Sequence, residues 1–128
     1  MKIFLVLISI SIVFYSCKKD AGDGGTSTIR GKVHITEYES NFQDVKADYP
    51  GADVDVYIMY GNNNTPDDNT KTGPDGDFVF KYLREGAYKI YVYSDADVPA
   101  GQMTVIRDIK INGKKQTVDA GTIEIKKH

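Results

Sequence analysis

The sequence has no tryptophan, one cysteine, two histidines and four prolines in 128 residues. A single thiol, Cys17, excludes an intrachain disulfide and a cysteine-clustered zinc site. His34 and His128 leave little from which to build a histidine-based metal centre. Charge of either sign is barely in excess, at −2. That argues against the broad attraction to nucleic acid or anionic membrane of a basic protein, and no nucleic-acid partner is expected. Only one apolar run is long, Ile3 to Phe14, and at twelve residues it is short for a membrane span. Beyond it, no stretch of ten residues has helical spacing. What remains is 41% hydrophobic and 27% charged with nine tyrosines, the composition of a globular domain.

Lys2 and the run Ile3–Phe14 read as the charged start and apolar region of an export signal. Tyr15, Ser16 and Cys17 follow. Ser16 before Cys17 resembles a lipobox, where a peptidase cuts ahead of a lipid-modified cysteine. Phe14 and Tyr15 replace the leucine and small residue the family prefers, a loosened box similar to those of Bacteroidota lipoproteins. The resemblance implies cleavage between Ser16 and Cys17 and a covalent lipid on Cys17. It also implies an outer-membrane address in the cell envelope, with membrane contact through the lipid. No other cofactor is expected. More than one acyl chain anchors stably, at about 0.8 kcal/mol per buried methylene. Cys17-Lys18-Lys19-Asp20 is similar to the signal that carries some such lipoproteins to the cell surface. Ala21 to Thr28 holds three glycines and nothing apolar larger than alanine, and reads as a flexible tether. The expected division is residues 1–16 signal, 17–28 lipidated cysteine and tether, and 29–127 one folded domain.

Removing 16 of 128 residues leaves 112, a length that buries roughly 65% of its unfolded surface and supports one core. From Ile29 the pattern has period two, as half-buried strands require. Ile29, Gly31, Val33 and Ile35 alternate with Arg30, Lys32, His34 and Thr36. Similar alternation marks Val54–Met59, Phe78–Phe80, Tyr88–Tyr93 and Thr122–Lys126. Val105, Ile109 and Ile111 form another inward set if Arg107 sits at a bulge or rim. Gly73-Pro74-Asp75-Gly76 reads as a tight turn, and Glu85-Gly86 and Asn112-Gly113 as hairpin turns. Glu37 to Tyr49 reads as a long loop with room for a turn of helix. Gly61 to Asn69 reads as a polar loop. The fold class is all-β, an antiparallel sandwich.

Thr70-x-Thr72-x-x-x-Gly76-x-Phe78-x-Phe80-x-x-Leu83-x-x-Gly86-x-Tyr88-x-Ile90-x-Val92 resembles the core signature of the carboxypeptidase regulatory-like domain. Gly31-x-Val33 and Gly51-Ala52-x-Val54 fit that family's first two strands. Gly73 stands where the family usually has aspartate. The resemblance implies a seven-stranded prealbumin-like, Ig-like sandwich, shared by collagen-adhesin B-type repeats, in a non-catalytic structural or binding role. Hydroxyisourate hydrolases share the prealbumin fold but end in Tyr-Arg-Gly-Ser, whereas this chain ends Glu124-Ile125-Lys126-Lys127-His128.

No catalytic set emerges, and no enzymatic activity is expected. The expected role is adhesion, or accessory to a surface complex. A glycan- or peptide-binding accessory of a nutrient-uptake system is the alternative. Tyr57 and Met59 share an outward face, as do Tyr91 and Tyr93. On neighbouring strands they would form an aromatic patch on which an extracellular protein or glycan could stack, or cross-strand pairs that merely stabilise the sheet. Tyr91 to Gly101 resembles the segment carrying the acid of self-crosslinking adhesin domains. That resemblance implies Lys32, Asp95 and Asp119 as a candidate isopeptide set, although alternation turns Lys32 outward. Asp67, Asp68, Asp75 and Asp77 are weak calcium candidates, since aspartate is also a common turn former.

Overall fold

The computed structural model describes residues 20–97 and 101–128. Ser16, Cys17 and the expected signal lie outside the described residues. Eight strands make up the fold: β1 (Asp23–Tyr38), β2 (Val45–Pro50), β3 (Asp55–Tyr60), β4 (Asp68–Lys71), β5 (Asp77–Leu83), β6 (Gly86–Asp95), β7 (Gln102–Ile111) and β8 (Thr117–Lys127). They form two four-stranded sheets, and no helix is present among the described residues. The all-β sandwich expected from the alternation is the architecture found, with eight strands rather than seven.

In one sheet β1 is the spine. Residues 28–37 of β1 pair with β8 along one edge. The other edge is shared, with Ile29–Lys32 pairing β5 and His34–Tyr38 pairing β2. The handover falls at Val33. Its N–H donates to the Gly76 carbonyl at 2.9 Å, and its carbonyl accepts from the Gly51 N–H at 2.8 Å. A Cβ on Gly76 would collide with the Val33 carbonyl, and Gly76 has φ of 81°, so glycine is required there. The β1–β8 pair is parallel, an exception to the otherwise antiparallel pairing. The second sheet runs β4–β3–β6–β7.

The inward set is the one the period-two reading marks. Ile29, Val33 and Ile35 of β1, Phe78 and Phe80 of β5, and Ile123 and Ile125 of β8 meet Val56, Ile58, Tyr88, Ile90 and Val92 of the opposite sheet. Each fully buried aliphatic or aromatic side chain is worth about 1.5–3 kcal/mol of transfer free energy. Arg107 shares the inward side of β7 with Val105, Ile109 and Ile111. No bulge accommodates it, because β6 and β7 keep unbroken register from Gly86–Ile111 to Asp95–Gln102; it lies instead on the edge strand of its sheet.

Four expectations need correction. Glu37 to Tyr49 is not a long loop with a helical turn, but the end of β1, a bend at residues 39–44 and most of β2. β2 lies at the sheet edge with nearly every residue exposed, so no alternation marks it. β4 was hidden in the same way, as a four-residue polar strand following the Asn-rich loop. Glu85-Gly86 and Asn112-Gly113 are not hairpin turns, because each joins strands of opposite sheets.

The fourth correction concerns the tether. Residues 21–28 belong to the fold. Ser27 is buried, donates to the Gly113 carbonyl at 3.1 Å and accepts from the Gln116 N–H at 3.1 Å. Thr26 accepts from the Lys115 N–H at 3.0 Å. Ala21 packs against the core and touches Gly86. The Tyr88 hydroxyl accepts from the Gly22 N–H at 2.9 Å and lies 2.6 Å from the Arg84 carbonyl. A Cβ on Gly25 would collide with the Leu83 backbone. Of the glycines that suggested flexibility, Gly25 is there because backbone passes against backbone, and Gly22 and Gly24 hold positive φ of 153° and 97°.

Candidate functional site: an uncovered tyrosine face

Pairing of β3 with β6 sets Tyr57 opposite Tyr91 and Met59 opposite Lys89. Pairing of β6 with β7 sets Ile106 opposite Tyr91 and Thr104 opposite Tyr93. Directly opposed residues share a face, so these side chains all project from the outer side of the sheet, away from the core. The structure thus brings the four predicted patch residues onto one surface.

Tyr57 stacks on Tyr91 with centroids 5.1 Å apart and planes 15° from parallel. Tyr93 meets both edge-on, 5.6 Å from Tyr57 and 5.8 Å from Tyr91. Tyr91, held among its neighbours, is only 8% exposed although it faces outward. Burial pushes its phenol above the ordinary tyrosine range, with further contributions from Tyr93 and Tyr57. Tyr93 is 44% exposed and Ile106 48%, so the cluster presents ring and aliphatic surface that no strand among the described residues covers. Asp55 and Lys71 form an ion pair at 3.2 Å beside Tyr57, which raises the Lys71 pKa through that hydrogen bond. Asn69, opposite Tyr57 on β4, supplies a polar group at the edge. Sequence reasoning missed Ile106 and Thr104. The period-two signal that placed Val105 inward would have placed both outward.

The isopeptide set does not assemble. Lys32 pairs with Asp77 at 3.3 Å with its side chain 59% exposed, and Asp119 lies 3.8 Å from Arg30. Asp95 accepts from the His128 N–H at 2.9 Å. His128 lies nine residues beyond Asp119 on the β8 side, so Asp95 and Asp119 are on the order of 30 Å apart. Lys32 thus lacks the burial that such a crosslink requires of its lysine.

The four calcium candidates are also dispersed. Asp67 accepts from the Tyr60 N–H at 2.7 Å and from the Asn63 side chain at 3.0 Å, closing the β3–β4 loop. Asp68 begins β4 and accepts from the Asn69 N–H at 2.8 Å. Asp75 lies at the far end of the sandwich in the β4–β5 turn, and Asp77 is taken by Lys32. Among the described residues no three His, Cys, Asp or Glu side chains group to hold a metal ion.

No family model matches the chain, and no curated protein matches it. Among solved structures, the chain is similar to the crystal structure of a proposed carbohydrate-binding protein from Pseudomonas aeruginosa. The identity is 16% over 84% of this chain and 92% of that one, with a TM-score of 0.49.

Proposed function

We propose that the protein is a non-enzymatic cell-envelope lipoprotein, anchored through lipid on Cys17. Its sandwich binds an extracellular glycan or protein through the outer tyrosine face. The observation that carries the binding role is the uncovered cluster of Tyr57, Tyr91, Tyr93 and Ile106, whose exposed members have neither a covering strand nor a covering loop among the described residues. An aromatic and aliphatic surface edged by Asn69, Thr104 and the Asp55–Lys71 pair suits a ligand with an apolar face and polar edges, such as a sugar ring or a protein aromatic. The anchor is supported by the twelve-residue apolar run Ile3–Phe14, followed by Tyr15, Ser16 and Cys17, the chain's single cysteine. The Thr70–Val92 pattern supports membership among carboxypeptidase regulatory-like domains.

Two experiments test this reading. Intact mass of the protein from expressing cells should show acyl groups that vanish in Cys17→Ala. An unacylated mature chain refutes the anchor. Retention on a panel of soluble polysaccharides and extracellular proteins should fall in Tyr93→Ala and Ile106→Ala without loss of folded protein. Retention equal in wild type and variants refutes the face as the binding surface.

A further inference from the structure

We infer that the protein also binds a lipid surface directly, by the end of the sandwich where β1 begins, held there by a link too short to let it swing away. The inference rests on the lipid-anchor reading of Cys17. The fold starts at Ala21, which packs against Gly86, and Gly22 is fixed between Arg84 and Tyr88. Only residues 18–20 lie between Cys17 and Ala21, so the lipidated residue and the folded chain are at most about 14 Å apart. A flexible tether of a dozen residues would let the domain tumble clear of the bilayer. This link cannot.

The surface at that end suits contact with a bilayer interface. Tyr82 is 71% exposed, more than any other large apolar side chain among the described residues. It sits at φ of 60°, a conformation bulky residues rarely adopt. The irregular β1–β5 register at Asp23 and Ser27 holds Leu83 in the core and turns Tyr82 outward. A phenol with an apolar ring and a polar tip is the side chain favoured where headgroups meet acyl chains. Arg84, Lys114 and Lys115 are exposed at the same end, and their long stems can reach phosphate oxygens. Asp23 lies there too, so the short link and Tyr82 hold the contact, not net charge. The opposite end, with residues 39–44 and 73–76, then points away from the bilayer, and the tyrosine face stands side-on.

The test is amine labelling read by mass spectrometry, on protein in vesicles of phosphatidylglycerol and phosphatidylcholine. If acylation is absent but Cys17 is retained, its thiol is coupled to a maleimide lipid, so seating is tested apart from biological lipidation. Labelling of Lys114 and Lys115 should fall severalfold on vesicles, while Lys46 and Lys127 at the far end stay unchanged. Inserting about ten Gly-Ser residues after Asp20 should restore labelling. Equal labelling on and off vesicles overturns the inference and leaves the anchor standing. Protection that survives the longer link overturns the link as its cause. A mature chain that begins after Cys17 overturns both readings.

Discussion

Replacing Tyr88 with phenylalanine removes one buried oxygen and leaves the ring packing in place. That oxygen accepts from the Gly22 N–H at 2.9 Å and donates to the Arg84 carbonyl at 2.6 Å, with the Gly22 carbonyl at 3.2 Å as its other acceptor. A hydroxyl has one proton, so two bonds exist at a time. Their loss costs about 2 kcal/mol at roughly 1 kcal/mol net each, and up to about 4 if no water reaches the orphaned groups. At a urea slope of about 1–3 kcal/mol/M, the midpoint of Tyr88→Phe should drop by roughly 1 M. Tyr93→Phe, on the outer face, should change stability by under about 0.5 kcal/mol.

A second signature comes from alkaline pH. Burial raises the Tyr88 pKa above its ordinary 10.0. A group whose folded pKa is raised contributes stability that is fully present below the unfolded value. It is lost as pH rises through the folded value. Wild type should therefore lose stability above pH 10.0 more steeply than Tyr88→Phe does. Equal midpoints for Tyr88→Phe and Tyr93→Phe, with parallel alkaline profiles, would refute the claim that this hydroxyl pins the N-terminal segment.

Gly25→Ala should destabilise by about 1–3 kcal/mol, because the new methyl meets the Leu83 backbone; an unchanged urea midpoint would mean the segment is loose. Intact mass should show no loss of water or ammonia, and Lys32→Ala should shift stability by under about 0.5 kcal/mol, as an exposed ion pair warrants. Arg107 points inward, half-buried, near the middle of β7, whose outer edge pairs with no strand among the described residues. A charge in that position resists strand addition, since pairing would strip its water. Light scattering should detect dimers of Arg107→Val at concentrations where wild type is monomeric. Monomers of both would show that Arg107 does not guard the edge.

The strands legible in the sequence were those with one face in the core. Ile29–Ile35, Val56–Ile58, Phe78–Phe80 and Tyr88–Val92 alternate because burial demands it. β2 and β4 escaped because a mostly exposed, polar edge strand has no such pattern. The tyrosine patch was legible as two outward pairs, but their meeting depended on the β3–β6 register, which no local signal carries. Gly22, Gly24 and Gly25 misled for a specific reason. Glycine permits a flexible linker and also permits close backbone approach, and composition alone does not separate the two uses. At Gly25 the partner that decides between them, Leu83, lies 58 residues further on.

Where the fold begins sets the reach of any anchor and which end of the sandwich it holds. Amide hydrogen exchange across residues 20–36 of the full-length protein measures it directly. Slow exchange is expected for Gly22 and Thr28, whose N–H groups bond Tyr88 and Gln116, comparable with the protection at Val33. Exchange at the free-peptide rate from Ala21 to Thr28, with protection starting only at Ile29, would contradict this and restore the flexible tether.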